Sequence, residues 1–398
     1  MNNAKFYTAD GFTDTLPGIC AFKRQAEQDI RGLFRLHGYR EIETPGIEYL
    51  DIYSRPGFVP EQNLYKMTDQ KGRLLALRYD GTIPAVRYAA NIKDFDPKLL
   101  PLRLCYIENM YRFADTGGGK QSEFTQAGVE LMGALGSDAD AEVIALAIKT
   151  ALAVGINDLQ ISVGQVKLYD GIARQIGLDD ESKAQIGNAV NSRDTVAIEK
   201  TCDKLGLSDD DRKLLLMLSD SQGTYDIIDS FRSRVTDETA VLALDNLKEI
   251  LDSLDEQGFL KYVSIDTGLI GGSIDYYTGV IFKGYTYEVG FPIISGGRYD
   301  NAVGVFGRNM EAVGFSLSLT LTITALLRQG VSMDEKPADA IVGYKEGCRV
   351  QAFVVVEKLR EEGLSAILDT TGMGSEALSE YAEKQGIERA VFVDGEEN

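Results

Sequence analysis

Four polar side chains that suit a ligand with nitrogen donors lie in one stretch of the sequence. Gln126 and Glu130 are four positions apart in a strand-like segment, so both point to one face, and the small Gly128 leaves space between them. Arg112 lies on the preceding strand and Asp80 at an earlier strand end. Together they would form an acidic, amide-lined slot for an ammonium group and a second donor such as an imidazole. From spacing alone, a solvated sheet face is the simpler interpretation.

Three further segments carry residues that would suit a binding site. Tyr276 and Tyr277 combine an apolar ring with a polar tip, which lets tyrosines line a cleft. Residues 295–300, Ser-Gly-Gly-Arg-Tyr-Asp, predict a glycine turn that permits close approach of the backbone. Residues 372–377 formally fit the dinucleotide-binding pattern G-x-G-x-x-A, but a tight turn into a helix explains these glycines, so no cofactor is predicted.

Composition argues against several classes of function. The 398 residues carry a net charge of −20, with 41 Lys plus Arg against 61 Asp plus Glu, which argues against a broad nucleic-acid surface. A single histidine, His37, and four widely spaced cysteines predict neither a metal site nor a disulfide framework. No apolar run is long enough for a signal peptide or a membrane span, so we expect a cytoplasmic protein.

The pattern of elements predicts an α+β main body, a helical insertion and a small α/β domain. Apolar residues at helical spacing over 22–34 predict an amphipathic helix that ends at Gly38. Alternating apolar residues over 74–136 predict strands, including an antiparallel hairpin whose tip is the glycine turn 117–119. The remaining segments are a helix over 139–154, a mainly helical stretch over 168–260, strands from Val263 that include the tyrosine pair within 273–289, and alternating strands and helices after a boundary at 329–337.

Taken in order, these segments resemble the histidyl-tRNA synthetase family over nearly the whole chain. The resemblance implies a class II aminoacyl-tRNA synthetase-like antiparallel sheet flanked by helices. It divides the chain into a main domain (1–167 and 261–328), a helical insertion (168–260) and a truncated anticodon-binding-like α/β domain (338–398). The motifs that carry it are Gly11-Phe12-Thr13-Asp14, Glu41 to Pro45 of motif 1, Tyr111-Arg112 and Phe124 to Glu130 of motif 2, residues 272–279 (Gly-Ser-Ile-Asp-Tyr-Tyr-Thr-Gly), and Gly296 to Asp300.

Three departures fall on positions that this family needs for ATP chemistry. Ala114 replaces the motif 2 glutamate, Gly272 replaces the arginine before the histidine-specific segment, and Leu321 replaces the motif 3 arginine. Loss of one charge-stabilising contact commonly costs about 2 to 4 kcal/mol of barrier. The departures therefore imply that synthetase chemistry is lost and that the chain keeps no catalytic residue.

The positions that match the family's amino-acid site are better preserved. Asp80 stands where the family has a glutamate for the α-ammonium group, with Thr82 and Gln126 beside it. Glu130, Tyr276 and Tyr277 match the positions that contact the imidazole. With the retained motif 2 arginine, the resemblance implies a histidine-binding site of Asp80, Thr82, Arg112, Gln126, Glu130, Tyr276 and Tyr277.

A synthetase-like chain without synthetase chemistry resembles a paralogous family, the regulatory subunits of ATP phosphoribosyltransferase. These act with a short catalytic subunit in the first step of histidine biosynthesis. The resemblance implies a hetero-octamer, a self-dimer through the motif 1 segment, and L-histidine as a feedback effector, and tRNA binding is not expected. The alternatives are a divergent active histidyl-tRNA synthetase and another inactive paralogue with an unrelated partner.

Overall fold

The computed structural model describes residues 7–55, 58–93, 95–113, 121–271 and 276–395. The chain divides into two compact units, one formed by Met1–Thr15 with Phe22–Ser332 and one by Leu16–Ala21 with Met333–Asn398. The helices are α1 (Pro17–Leu36), α2 (Thr82–Ala90), α3 (Ser137–Ala153), α4 (Val166–Ile176), α5 (Asp180–Asn191), α6 (Thr195–Leu205), α7 (Asp209–Asp220), α8 (Tyr225–Arg232), α9 (Glu238–Glu256), α10 (Leu319–Arg328), α11 (Arg349–Glu361) and α12 (Ser375–Gln385).

Three sheets account for the strands of the described residues. The larger unit holds a nine-stranded sheet in the order β1-β5-β6-β12-β11-β10-β7-β9-β8 and a three-stranded sheet in the order β2-β4-β3, and the smaller unit holds β14-β13-β15. The strands are β1 (Arg40–Glu41), β2 (Ile47–Tyr49), β3 (Lys66–Thr68), β4 (Leu74–Leu77), β5 (Leu102–Tyr111), β6 (Glu123–Met132), β7 (Gln160–Gln165), β8 (Gln222–Gly223), β9 (Val263–Asp266), β10 (Val280–Tyr285), β11 (Ile294–Arg298), β12 (Ala312–Ser318), β13 (Ala340–Tyr344), β14 (Ala366–Leu368) and β15 (Arg389–Val393).

The nine-stranded sheet is built around the predicted hairpin of β5 and β6. Tyr106 on β5 pairs with Gly128 on β6, and Glu130 on β6 pairs with Gly314 on β12, all in antiparallel register. The pairs β1–β5 and β7–β9 are parallel, so the sheet is mixed rather than wholly antiparallel. This register places Glu130 on a central strand, where both faces of the sheet are buried.

The region between β7 and β9 is helical, as its polar and apolar pattern predicts. Helices α4 to α9 follow one another there, and a side-chain oxygen caps the first turn of most of them. The first of these helices begins at Val166, two residues before the predicted start, because the Gln165 side chain accepts from the Lys167 amide. A short strand, β8, interrupts the helices and pairs with β9 of the main sheet.

The smaller unit is a three-stranded parallel sheet with one helix packed on each face. Alternate residues of β13 point to opposite faces, so Ala340 and Val342 join a core with Val356 of α11. Ile341 points to the other face and joins a core with Leu378 of α12. The predicted strand and helix alternation of this segment is therefore present.

Two local predictions in the larger unit are wrong. Residues 295–300 were expected to form a glycine turn, but Ile294–Arg298 is strand β11 because both of its neighbours in the sheet pair with it. The predicted strand around the tyrosine pair is confined to Val280–Tyr285, and Tyr276 and Tyr277 precede it in irregular structure. Within the described ranges, no helix is long and apolar enough to cross a membrane, and no group of three His, Cys, Asp or Glu side chains is placed to hold a metal ion.

Candidate functional site

A cavity of about 330 Å³ in the larger unit brings together most of the predicted site residues. Residues at the start of α2 and in the β5–β6 hairpin line one part of it, and uncharged residues at the start of α10 line another. Of the seven predicted residues, all except Glu130 line the cavity, and Glu130 is hydrogen-bonded to two residues that do, Thr82 and Tyr299. The six are Asp80, Thr82, Arg112, Gln126, Tyr276 and Tyr277.

The start of α2 places Asp80 and Thr82 at the cavity. Asp80 Oδ1 accepts a hydrogen bond of 3.1 Å from the Ile83 amide, so the carboxyl group caps the helix. Burial raises the pKa of Asp80, while the charge of Arg112 and the Ile83 amide act in the opposite direction. A buried carboxyl group at this point would hold an ammonium group of a ligand.

Arg112 is fixed between two aromatic rings at the end of β5. Its guanidinium carbon lies 4.4 Å from the ring centroid of Tyr79 and 4.9 Å from that of Phe124. Its Nε also donates to the Tyr79 carbonyl oxygen at 3.2 Å. Among the described residues that line the cavity, Arg112 is the only cation and Asp80 the only carboxylate.

Gln126 holds the start of α2 against the sheet. Its Oε1 accepts from the Gly81 amide at 3.3 Å, and its Nε2 donates to Ser316 Oγ on β12 at 2.8 Å. Because both ends of the amide have protein partners, Gln126 is a fixed part of the cavity wall.

Glu130 is a buried carboxyl group held by hydroxyl groups. Its side chain is almost fully enclosed, with 1% of the residue exposed. The Tyr299 hydroxyl donates to Oε2, the Tyr106 hydroxyl donates to Oε1 at 3.3 Å, and Thr82 is a third hydrogen-bond partner. Burial raises the pKa of Glu130 to about 8, although these three hydrogen bonds act to lower it. Glu130 can therefore gain or lose a proton near neutral pH.

Tyr276 and Tyr277 form the aromatic side of the cavity. The Tyr276 ring contacts the rings of Tyr277, Phe58 and Tyr299, with centroid distances of 5.1, 5.9 and 5.8 Å. A Cβ atom at Gly297 would lie 2.7 Å from Tyr277 Cδ1, so this strand position must be glycine to admit the ring. Burial raises the pKa of both tyrosines, which keeps them neutral hydrogen-bonding groups.

The prediction that Gly128 leaves an open slot between Gln126 and Glu130 is wrong. The Tyr106 ring fills that space, because a Cβ atom at Gly128 would lie 2.5 Å from Tyr106 Cζ. Tyr106 was not predicted as a site residue, and neither was Tyr299, which was assigned to a turn. The strand register alone would have revealed Tyr106, since it lies opposite Gly128.

Of the three positions where the synthetase motifs are altered, one lies within the described residues and two lie outside them. Leu321 lines the cavity, together with Thr320 and Thr324 of the same helix. The Leu321 amide is capped by Ser318 Oγ at 3.4 Å, so the side chain is placed at the start of α10. Ala114 and Gly272 lie outside the described residues.

Comparison with known proteins identifies the family. The sequence model of the family described as histidyl-tRNA synthetase matches residues 11–321. A curated protein of Acetivibrio thermocellus named ATP phosphoribosyltransferase regulatory subunit is 41% identical, over 100% of this chain and 95% of its own length. A protein of Ruminiclostridium cellulolyticum with the same name is 37% identical, over 99% and 93%. The chain belongs to the family of ATP phosphoribosyltransferase regulatory subunits.

A solved structure supports the same assignment of fold. A protein from Bacillus halodurans, described as an ATP phosphoribosyltransferase regulatory subunit/histidyl-tRNA synthetase, superposes with a TM-score of 0.87 at 28% identity. The match covers 98% of this chain and 99% of that protein. The predicted family and the predicted class II synthetase-like α+β fold are therefore confirmed.

Proposed function

We propose that this protein is the non-catalytic regulatory subunit of ATP phosphoribosyltransferase in the first step of histidine biosynthesis. It would act with the short catalytic subunit, which condenses ATP with phosphoribosyl pyrophosphate, and it would mediate feedback inhibition by L-histidine. The names of the full-length relatives support the partner, and the charges that line the cavity support the loss of synthetase chemistry.

The observation that carries the proposal is that the predicted polar residues line the cavity together with α10 residues that bear no charge. Phosphate groups and the transition state of adenylate formation need several cations, and one arginine, Arg112, lines the described cavity. Leu321 stands where a synthetase would bring a second guanidinium group, and it cannot neutralise charge. The described part of the cavity lining therefore suits an amino acid better than a triphosphate.

The proposed ligand, L-histidine, matches the predicted site residues group by group. Asp80 would pair with the α-ammonium group, beside Thr82 and Gln126, and Arg112 would face the carboxylate. On the family resemblance, Tyr276 and Tyr277 of the cavity lining and Glu130 next to it would recognise the imidazole ring.

Inhibition would follow from a population shift. Histidine must bind the inhibited assembly more tightly than the active one, because a ligand with equal affinity for both changes nothing. Each tenfold preference contributes about 1.4 kcal/mol toward the inhibited state.

We further propose the assembly and location that the family resemblance implies. The chain would form a self-dimer through the segment Glu41 to Pro45 and a cytoplasmic hetero-octamer with the catalytic subunit. Its domains would be 1–167 with 261–328, the insertion 168–260, and 338–398. No cofactor or tRNA is required by this assignment.

The test is the initial rate of phosphoribosyl-ATP formation by the short catalytic subunit, alone and with this protein. We expect the rate to rise on mixing and the two chains to elute together from a sizing column. An unchanged rate without a complex would refute the proposal. Transfer of histidine to tRNA by this chain alone would instead establish the alternative of an active synthetase.

A further inference from the structure

A row of polar residues crosses the nine-stranded sheet on the face that holds the cavity. Strand pairing places Ser295 between Ser316 and Lys283. Lys283 pairs on its other side with Ser162, which pairs in turn with Ser264. Paired side chains point to the same face of a sheet, and the first two serines line the cavity, so all five residues lie on the cavity face. We refer to these five residues as the polar row.

The polar row is partly open, whereas the opposite face of the same strands is closed. Each of the five residues is half-buried. On the opposite face, Val163, Phe282 and Ile294 belong to three of the same strands, and each has 0% of its surface exposed. The sheet therefore keeps accessible polar groups along a line that begins in the cavity and leaves it.

The segment that follows β9 covers the sheet beside the polar row. A Cβ atom at Gly164 would lie 2.0 Å from the Leu269 carbonyl oxygen, and one at Gly297 would lie 2.7 Å from Tyr277 Cδ1. Each of these glycines lies two positions along its strand from a serine of the polar row, on the same face. A backbone carbonyl and an aromatic ring therefore border the row on one side.

Lys283 brings a positive charge to the polar row without a carboxylate to balance it. Among the residues that the structure describes, no carboxylate lies within ion-pair distance of its ammonium group. Asp266 is the acidic group whose charge reaches Lys283, but its Oδ2 pairs with Arg193 at 2.7 Å and its Oδ1 accepts from the Gly268 amide at 3.0 Å. Burial lowers the pKa of Lys283, because the ammonium group loses part of its hydration. A bound anion would compensate this loss.

We propose that Lys283, with Ser162 and Ser295 on either side of it, binds a phosphate group next to the cavity. The site goes beyond the proposed function and does not depend on it. Neighbouring strands lie about 4.8 Å apart, and a lysine stem is flexible, so the ammonium group can share one ligand with either hydroxyl. An ammonium group and two hydroxyls donate from different directions, which suits a tetrahedral oxyanion better than a planar carboxylate.

The charge of the whole protein makes this site depend on its local donors. With a net charge of −20, the chain gives no long-range attraction to an anion. Phosphate binding must therefore come from the few groups that touch the ligand, and removal of the one ammonium group should abolish most of the affinity.

The test is equilibrium dialysis of the full-length protein against radiolabelled orthophosphate. The wild type should bind one equivalent in a saturable manner. Lys283→Met keeps the length of the stem but removes the charge, so the dissociation constant should rise about 10- to 100-fold. Ser162→Ala removes one neutral donor and should raise it about 2- to 10-fold.

Lys149→Met is the matched control. Lys149 is also half-buried, lies on α3 and contacts the Phe259 ring at 5.6 Å, and its loss changes the net charge by the same amount. Its phosphate binding should match that of the wild type. Thermal unfolding shows whether each variant is folded, and Ser162→Ala decides the test if Lys283→Met is not.

Competition with unlabelled anions identifies the source of the phosphate group. Stronger displacement by pyrophosphate than by ribose 5-phosphate assigns the site to a free anion, and the reverse assigns it to a phosphate ester. Acetate, which is planar, should displace little of the label.

Three results would overturn the proposal. They are the absence of phosphate binding to the wild type, the same affinity in Lys283→Met or, if that variant is unfolded, in Ser162→Ala, and displacement by acetate as strong as by phosphate. Histidine is absent from these mixtures, so none of these results bears on the proposed function.

Discussion

Gly314 on β12 lies directly opposite Glu130 on β6, and a Cβ atom at Gly314 would come within 2.0 Å of Glu130 Oε2. The glycine therefore makes room for the carboxyl group, and the same atom would also lie 2.5 Å from the Val129 carbonyl oxygen. We expect Gly314→Ala to lower the free energy of unfolding by about 1 to 3 kcal/mol, as overpacking of a core does. Urea denaturation measures this change.

A double-variant cycle shows whether the Glu130 side chain is the group that clashes with a Cβ atom at Gly314. If it is, Gly314→Ala should lower the free energy of unfolding by less in a Glu130→Ala background than in the wild type, because the clashing side chain is absent. Gly46→Ala is the control, because a Cβ atom there meets nothing within 4 Å. Strict additivity of the two changes would show that Gly314 is constrained by its backbone neighbours alone.

The pKa of Glu130 predicts how stability depends on pH. Because its pKa in the folded protein is about 8, above the usual value of 4.5, the folded state keeps a proton that the unfolded state loses. This group therefore makes stability fall as pH rises from about 4.5 to about 8, by about 1.4 kcal/mol per pH unit at most. Glu130→Gln should remove that slope. The free energy of unfolding of the variant should therefore rise relative to that of the wild type between pH 5 and 8. Parallel stability curves for the two proteins would show that Glu130 does not titrate in this range.

The buried pair of Arg298 and Asp140 gives a prediction about stability alone. The two side chains form an ion pair of 2.7 Å, and their exposed fractions are 8% and 2%. Asp140→Ala would leave a buried guanidinium group with Asp300 as its remaining carboxylate partner, so we expect a loss of about 3 to 5 kcal/mol. The exposed pair of Lys66 and Glu61 is the comparison, and Glu61→Ala should change stability by about 1 kcal/mol or less. Equal effects of the two variants would refute the prediction.

The sequence was sufficient to predict the elements that carry the site. Alternation of apolar residues identified β5 and β6, and the motif positions selected six residues that the fold brings to one cavity. The long helical stretch was visible because its polar caps and apolar spacing are local signals.

The parts that were missed depend on contacts between distant segments. Tyr106 looks like any apolar strand residue until pairing places it opposite Gly128, and only the fold brings Gly81 to its other face. Tyr299 was placed in a turn because two glycines precede it, whereas those glycines make room for the Phe282 and Tyr277 rings within a strand. Local pattern carries no information about which ring fills which gap.

If histidine acts through this cavity, inhibition of the assembled complex should depend on the lining residue Asp80. Asp80→Asn keeps the acceptor that caps α2 but removes the charge proposed to hold the ammonium group. Asp179→Asn is its matched control, because Asp179 caps α5 in the helical insertion through the same kind of contact with the Ser182 amide.

The measurement is the histidine concentration that halves phosphoribosyl-ATP formation by the short catalytic subunit mixed with each protein. We expect about a 10- to 100-fold increase for Asp80→Asn, because one charge-assisted hydrogen bond is lost, and no change for Asp179→Asn. The same half-inhibiting concentration for the wild type and Asp80→Asn would show that histidine does not act through this carboxylate.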